Sequence, residues 1–249
     1  MELWFVAGCA VLLGAVLQRL SGTGVGLVVA PILSLLIGPG PGVLVTNATT
    51  TVSGFLIMLA VRHDVDWATC RRLCLAAAVG AVPGALIVRE LALPWLQVVV
   101  GGVVLLAVAT TVAVRDLPHI EGAGATALAG LIGGLLNTTA GVAAPAMVIY
   151  SRLRRWPQET FAATMQPVFM TMGALSVLLK TVLGSVPSSQ LPPWWTPPAI
   201  VILVVVGSWV GGRLARVVPV AVAGKLAVTL ALLGGASALI RGSLALLGG

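Results

Sequence analysis

The chain has 249 residues, of which 59% are hydrophobic and 8% charged, with a mean hydropathy of +1.10 and a formal net charge of +7. Soluble domains contain about 25% charged residues, so these values exclude a soluble protein and predict an all-α polytopic membrane protein. The basic residues form short clusters between apolar runs, as membrane topology requires, which argues against a nucleic-acid partner. With two histidines and three cysteines, we expect no metal site and no cofactor.

The first apolar stretch, residues 3–37, is interrupted by small and polar residues at positions 21–26. A second stretch, 123–151, is interrupted in a similar way at positions 137–141. A proline follows each interruption at a similar distance. Broken apolar segments at corresponding positions of two halves are typical of the binding sites of secondary transporters.

Six further apolar runs approach the ~20 residues that a membrane crossing needs. In chain order they are 42–61, 68–88, 94–114, 158–179, 197–214 and 220–240. Tryptophans lie at the edges of several runs, as in the aromatic belts of membrane proteins.

The distribution of Lys and Arg decides how the interrupted stretches meet the membrane. If each crossed once, six basic residues would lie on one side and seven on the other, with no bias. If each enters and returns on the same side as a re-entrant hairpin, ten lie inside and three outside, which agrees with the positive-inside rule. The three outside residues are Arg89, Lys180 and Arg241.

Each half then contains one hairpin and three crossings, and the odd number of crossings inverts the second half. We therefore predict two inverted repeats, residues 1–117 and 118–249, within a single membrane domain. The first comprises hairpin 3–37 and the helices to 114, and the second comprises hairpin 123–151 and the helices from 158.

The hairpin tips are the strongest candidates for a binding site. The second helix of each hairpin begins near the tip, and its free N–H groups and positive dipole end favour an anion. The residues expected to contribute donors are Gly22, Thr23, Gly24 and Gly26 at the first tip and Asn137, Thr138 and Thr139 at the second. The alternative is that both tips are packing contacts between the repeats.

Polar side chains near the starts of the following helices are candidates for the walls of the site. Asn47 and Thr50 lie in the helix after the first hairpin, and Gln166 lies in the helix after the second. An amide in lipid needs a partner, whereas a threonine often bonds its own helix. Arg19, within the first hairpin arm, either contacts the substrate or snorkels to the surface.

The positions of the acidic residues indicate the sign of the substrate's charge. All seven fall at predicted loops or helix ends, namely Glu2, Asp64, Asp66, Glu90, Asp116, Glu121 and Glu159. Carriers of cations usually place a carboxylate within the membrane. The pattern therefore disfavours a cationic substrate and favours a small anion.

The chain resembles the sulfite exporter TauE/SafE family of membrane transporters. Its segment Gly22-Thr23-Gly24-Val25-Gly26, followed by apolar residues and Pro31, is similar to that family's glycine-rich motif, one glycine short. Pro41 through Ala48-Thr49 and Val65-Asp66-Trp67 resemble further family segments, so that the likeness covers nearly the whole chain. The second tip departs from the motif, which leaves open a different substrate or a structural role for that half.

The resemblance implies export of sulfite or an organosulfonate. With the residues above, it predicts a multi-pass secondary transporter of the inner (cytoplasmic) membrane that works by alternating access and is not an enzyme. An anion channel and a membrane-embedded lipid-phosphate hydrolase are the alternatives. The identity of the anion, the direction of transport, ion coupling and assembly into a homo-oligomer are left open.

Overall fold

The computed structural model describes residues 2–21, 25–113 and 117–248 and confirms an all-helical membrane protein. The described helices are α1 (Glu2–Ser21), α2 (Val25–Ile37), α3 (Pro39–Val61), α4 (Trp67–Glu90), α5 (Leu93–Ala113), α6 (Ala123–Ala140), α7 (Ala144–Leu153), α8 (Gln158–Val182), α9 (Thr196–Leu214) and α10 (Val220–Leu247), with one 3₁₀ turn at Ser188–Gln190. Seven of them are long and apolar enough to cross a bilayer: α1, α3, α4, α5, α8, α9 and α10.

The chain reverses direction between α1 and α2. A Cβ added to Gly14 of α1 would meet the side chain of Val29 and lie 3.7 Å from the Cα of Val25. Two straight consecutive helices would separate Gly14 from Val29 by about 22 Å, at 1.5 Å per residue. The first interrupted stretch is therefore a helical hairpin.

The second interrupted stretch also enters and leaves at one end of the helix bundle. Gly141 ends α6 in the left-handed conformation, with φ of 75°, and its N–H donates to the carbonyl of Asn137 at 2.8 Å. The N–H of Ile120, just before α6, donates to the carbonyl of Leu153 at the end of α7, at 2.9 Å. The start of α6 and the end of α7 thus lie side by side.

Helices α3 and α8 run antiparallel through the centre of the bundle. A Cβ on Gly54 of α3 would lie 2.9 Å from the carbonyl oxygen of Gln166, and one on Gly173 of α8 would lie 2.7 Å from that of Asn47. The two contacts are reciprocal. Helices α5 and α10 are also antiparallel, since Gly242 of α10 faces the carbonyl of Pro94 near the start of α5.

Two other pairs run parallel and use closely spaced glycines. Gly80 and Gly84 of α4 pack directly against the backbone of α6, and Gly207 and Gly211 of α9 pack against that of α1. Small residues four apart allow helix backbones to approach closely in lipid. The chain therefore repeats one contact: the first arm of each hairpin packs on a glycine pair from the other half.

The first hairpin arm is longer than the sequence indicated. We expected a short arm ending within the membrane, but α1 has 20 residues, a length of about 30 Å. Trp4, near its start, makes an edge-to-face contact with Trp195 before α9, and Arg19, near its end, contacts Gly211. The interruption marks the position of the turn and says nothing of its depth.

The bundle has two ends, named here after a residue at each. At the Trp4 end, Trp4 meets Trp195, and Gly38 before α3 approaches Leu93 at the start of α5. At the Asp66 end, Asp66 before α4 forms an ion pair with Arg154 after α7, at 3.4 Å. The helix directions given above assign every helix end to one of them.

Basic residues concentrate at the Asp66 end. The described helix termini and loops of that end contain ten of them: Arg19, Arg62, Arg71, Arg72, Arg152, Arg154, Arg155, Arg213, Arg216 and Lys225. In the described part of the Trp4 end, Arg89 and Arg241 are exposed. Lys180, expected in a loop at that end, instead lies within α8 and is 1% exposed. The predicted helix 158–179 was too short, because α8 continues to Val182.

Candidate functional site

The two hairpins meet around a small central cavity of about 40 Å³. Its walls are the first residues of α2 (25–27), the turn and first residue of α7 (141–144), and the side chains of Gln18, Thr50, Asn137 and Phe169. Since one water needs roughly 10–15 Å³ of such space, the cavity has room for a few waters.

The starts of α2 and α7 face each other across this cavity. A Cβ on Gly26 would overlap the carbonyl oxygen of Gly141, so the two backbones are in direct contact. No side chain caps α7 at Ala143. Helix starts present free N–H groups and the positive end of the helix dipole, and both starts therefore give the cavity a positive potential that favours an anion.

One wall of the cavity is fixed by two asparagines that bond to each other. The Nδ2 of Asn137 donates to Oδ1 of Asn47 at 2.9 Å, and the Nδ2 of Asn47 donates to the backbone oxygen of Asn137 at 3.1 Å. Asn47 also donates to Oγ of Ser176 at 2.8 Å. Asn47 is 0% exposed and lies behind the wall, whereas Asn137 lines the cavity. Asn47 is therefore a positioning residue.

A second amide pair contributes Gln18 to the lining of the cavity. The Nε2 of Gln18 donates to Oε1 of Gln166 at 3.3 Å, and Oγ of Ser53 donates to Oε1 of Gln18 at 2.8 Å. Gln166 also donates to the carbonyl of Ala162 at 3.0 Å. Gln18 and Gln166 are each 2% exposed. This buried network connects α1 and α3 with α8.

The two amide pairs occupy corresponding positions in the two halves. Gln18 and Asn137 are related by the same chain offset as Asn47 and Gln166, and that offset also relates Gly54 to Gly173. In each pair, an amide near the end of a first hairpin arm bonds an amide in the central helix of the other half.

Two of the predicted threonines bond their own helices. Thr50 donates to the carbonyl of Thr46 at 2.9 Å, and Thr139 donates to that of Leu135 at 2.9 Å. Thr50 nevertheless lines the cavity. Thr138 is 0% exposed, and its Oγ1 has no hydrogen-bond partner in the described structure.

Arg19 lies outside the central cavity. It is exposed and lines a separate cavity of about 300 Å³ at the Asp66 end, together with Asp64 and Glu159. Gln18 and Gln166 line this second cavity as well, so their amide pair lies where the two spaces adjoin. Arg19 therefore does not line the central cavity in this conformation, because successive residues of a helix point in different directions. Its contact with the substrate stays a prediction.

Gly22, Thr23 and Gly24 lie outside the described residues. Gly26 borders the central cavity as expected. From the sequence, Gln18 beside Arg19 was a weaker candidate, whereas Ser53, Ser176 and Lys180 were missed as buried polar residues. A signal for two of them exists, since Ser176 and Lys180 are four residues apart and share one face of α8 with Met172. The described residues contain no group of three His, Cys, Asp or Glu side chains that would hold a metal ion.

Comparisons with known proteins identify the family of the chain. No curated protein and no solved structure matches the chain. The family model described as sulfite exporter TauE/SafE matches residues 6–238. The match covers most of the 249 residues, and the chain is thus a member of the sulfite exporter TauE/SafE family of membrane transporters.

Proposed function

We propose that the protein is a secondary transporter that exports a small anion, sulfite or an organosulfonate, across the cytoplasmic membrane. The observation that supports this most directly is the meeting of two oppositely directed hairpins at one central cavity, where no side chain caps the start of α7. No carboxylate lines that cavity among the described residues. Helix starts and amide donors select a negative charge, and the family supplies the sulfur-containing class of anion.

The proposed architecture is a pair of inverted repeats with six crossings, so that both termini lie on the same side. Antiparallel packing of α3 on α8 and of α5 on α10 supports the inversion. The excess of basic residues at the Asp66 end supports a cytoplasmic position for that end. The Trp4 end then faces outward.

Alternating access would move the anion from the cytoplasmic cavity to the outside. In the present conformation the 300 Å³ cavity reaches Gln18 and Gln166 from the Asp66 end. Towards the Trp4 end, the bonded group of Asn47, Asn137 and Ser176 closes the path. Rocking of one repeat against the other would exchange these two states.

The test is transport by the purified protein in proteoliposomes. We expect uptake of ³⁵S-labelled sulfite that is accelerated by unlabelled sulfite on the opposite side, and no effect of an equal concentration of choline. Asn137→Leu should lower the initial rate about tenfold or more, since the cavity loses a donor. Transport by the Asn137→Leu variant at the wild-type rate would remove Asn137 from the site. Single-channel currents would identify a channel, and phosphate release from lipid phosphates a hydrolase.

A further inference from the structure

Lys180 is a buried cation that the proposed transport path does not yet use. It is 1% exposed, and its Nζ has no hydrogen-bond partner among the described residues. The acidic residues described at the Trp4 end, Glu2 and Glu90, are exposed and form no ion pair with it. A buried amine without a partner is disfavoured in either protonation state, so a residue of this kind indicates a missing hydrogen-bond acceptor, and an anion would also favour its charged form.

Thr138 is a second buried donor without a partner, and the same part of α4 adjoins both residues. A Cβ on Gly84 of α4 would lie 2.9 Å from the Cβ of Thr138. The next residue, Ala85, accepts a hydrogen bond from Ser185, whose N–H donates to the carbonyl of Lys180. Thr138 and the backbone of Lys180 thus both lie near residues 84–85 of α4.

Thr138 and Lys180 correspond in the chain to residues that line the open 300 Å³ cavity at the Asp66 end. Four residues that line the 300 Å³ cavity are Gln18, Arg19, Val61 and Gln166. At the offset that relates Gln18 to Asn137, they correspond in order to Asn137, Thr138, Lys180 and Asn47.

A glycine contact supports the same correspondence. A Cβ on Gly211 would lie 2.8 Å from the Cβ of Arg19, much as one on Gly84 would meet Thr138. This correspondence predicts that the open cavity of the Asp66 end has a closed counterpart at the Trp4 end, with Thr138 and Lys180 in its walls.

We propose that Thr138 and Lys180 form a second anion-binding site, which opens to the outside when the cytoplasmic cavity closes. The ammonium of Lys180 has only hydrogen-bond donors, and the hydroxyl of Thr138, which follows Asn137 in the chain, has one. Such donors suit a small oxyanion. The site would receive the anion after it leaves the central cavity. This inference rests on the alternating access proposed above.

The test measures the accessibility and charge of this site without requiring transport. Thr138→Cys is made in a background without Cys9, Cys70 and Cys74, in intact cells. Two membrane-impermeant thiosulfonate reagents of similar size, one anionic and one cationic, are then added outside. Val100→Cys, at a position that is 0% exposed in α5, is the matched buried control.

We expect the Thr138→Cys thiol to react while the Val100→Cys thiol stays protected. The anionic reagent should react about tenfold faster than the cationic one, because the ammonium of Lys180 attracts it. Adding Lys180→Met should abolish this preference, and Lys180→Arg should retain it. If Lys180→Met fails to fold, the preference in the Thr138→Cys protein and its retention with Lys180→Arg decide the question.

Two results would overturn the site: protection of the Thr138→Cys thiol equal to that of Val100→Cys, or equal rates with both reagents. Failure of the wild-type protein to transport sulfite, with labelling as expected, would remove the proposed substrate but leave the site in place. Sulfite transport without labelling of the Thr138→Cys thiol would support the proposed substrate and overturn the second site.

Discussion

Asn47 and Asn137 hydrogen-bond to each other in both directions, from α3 of the first half to the tip of the second hairpin. Each side chain therefore holds the other's rotamer, and Asn47 additionally binds Ser176 on α8. This arrangement explains how a hairpin tip without a side-chain cap keeps a fixed position beside the cavity. Preorganised donors bind an anion without a further ordering cost.

Asn47→Leu, which keeps the approximate volume of the side chain, should lower both stability and transport. It leaves the donor of Asn137 and the hydroxyl of Ser176 without their partner, at a cost of about 2 kcal/mol. The midpoint of thermal unfolding in detergent and the initial rate of sulfite uptake measure the two effects. Thr49→Val is the control, since Thr49 is buried but bonds only its own helix; an equal effect of both changes would contradict the role of Asn47.

Much of the architecture follows from the sequence, because it depends on local signals. The polar interruptions mark both hairpin turns, and Gly141 adopts the positive φ that ends α6. The apolar runs give the crossing helices. The orientation in the membrane, which rests on the positive-inside rule, and the division at residue 117 remain predictions.

The interior of the site was less predictable, because it depends on contacts between distant residues. Asn47 and Gln166 were recognisable as amides in need of partners, but their partners lie in the other half. Gln18 is buried and Arg19 beside it is exposed, a difference decided by the rotation of α1 against α9. Lys180 resembled a loop residue because the apolar run ends just before it, although α8 continues.

Gly26→Ala should prevent the two helix starts from meeting. The added methyl would overlap the carbonyl oxygen of Gly141, so one of the two backbones would have to shift. We expect transport to fall by tenfold or more, because overpacking of this kind costs on the order of 1–3 kcal/mol. Gly102→Ala is the matched control, since nothing lies within 4 Å of its added methyl. It should be neutral or slightly stabilising, and a similar loss in both variants would argue against the contact.

Gln18→Glu should weaken anion binding with little change in volume. Gln18 lines both cavities, so a carboxylate there would repel an anion on its path between them. We expect the half-saturating sulfite concentration to rise about tenfold, or about 1.4 kcal/mol. Gln190→Glu, the same change at an exposed position of the 3₁₀ turn, is the control. Unchanged sulfite dependence in Gln18→Glu would exclude passage of the anion beside Gln18.

Both termini should lie outside the cell and the loop after α7 inside. Single cysteines at Ser243 near the C-terminus and at Arg155 after α7 report this in a cysteine-free background. An impermeant maleimide added to intact cells should label the Ser243→Cys protein, and the Arg155→Cys protein only after permeabilisation. The opposite pattern would reverse the orientation, whereas labelling of both from outside would contradict the three crossings by α8, α9 and α10 that separate the two positions.

Lowering the pH should destabilise the fold at the Asp66 end, because the carboxylate of Asp66 becomes protonated. Burial raises the pKa of Asp66, but the hydroxyl and N–H of Thr69 and the guanidinium of Arg154 favour the charged form more strongly. The net result is a pKa below its ordinary value of 3.8. Because the folded-state pKa is the lower one, the carboxylate stabilises the fold above pH 3.8, and this stabilisation is lost as the pH falls through the folded-state value.

The size of this effect is modest, since Asp66 and Arg154 are partly exposed, with 25% and 29% of their side chains accessible. We expect about 1 kcal/mol or less at neutral pH. Asp66→Asn retains a residue that caps helices well, so it should lower the unfolding midpoint at pH 7 and flatten its dependence between pH 5 and pH 2. Asp64→Asn, at an exposed neighbour, should leave that dependence unchanged. Wild-type dependence in Asp66→Asn would assign the acid sensitivity to another carboxylate, and the ion pair with Arg154 would then have no measurable part in holding the second hairpin to α4.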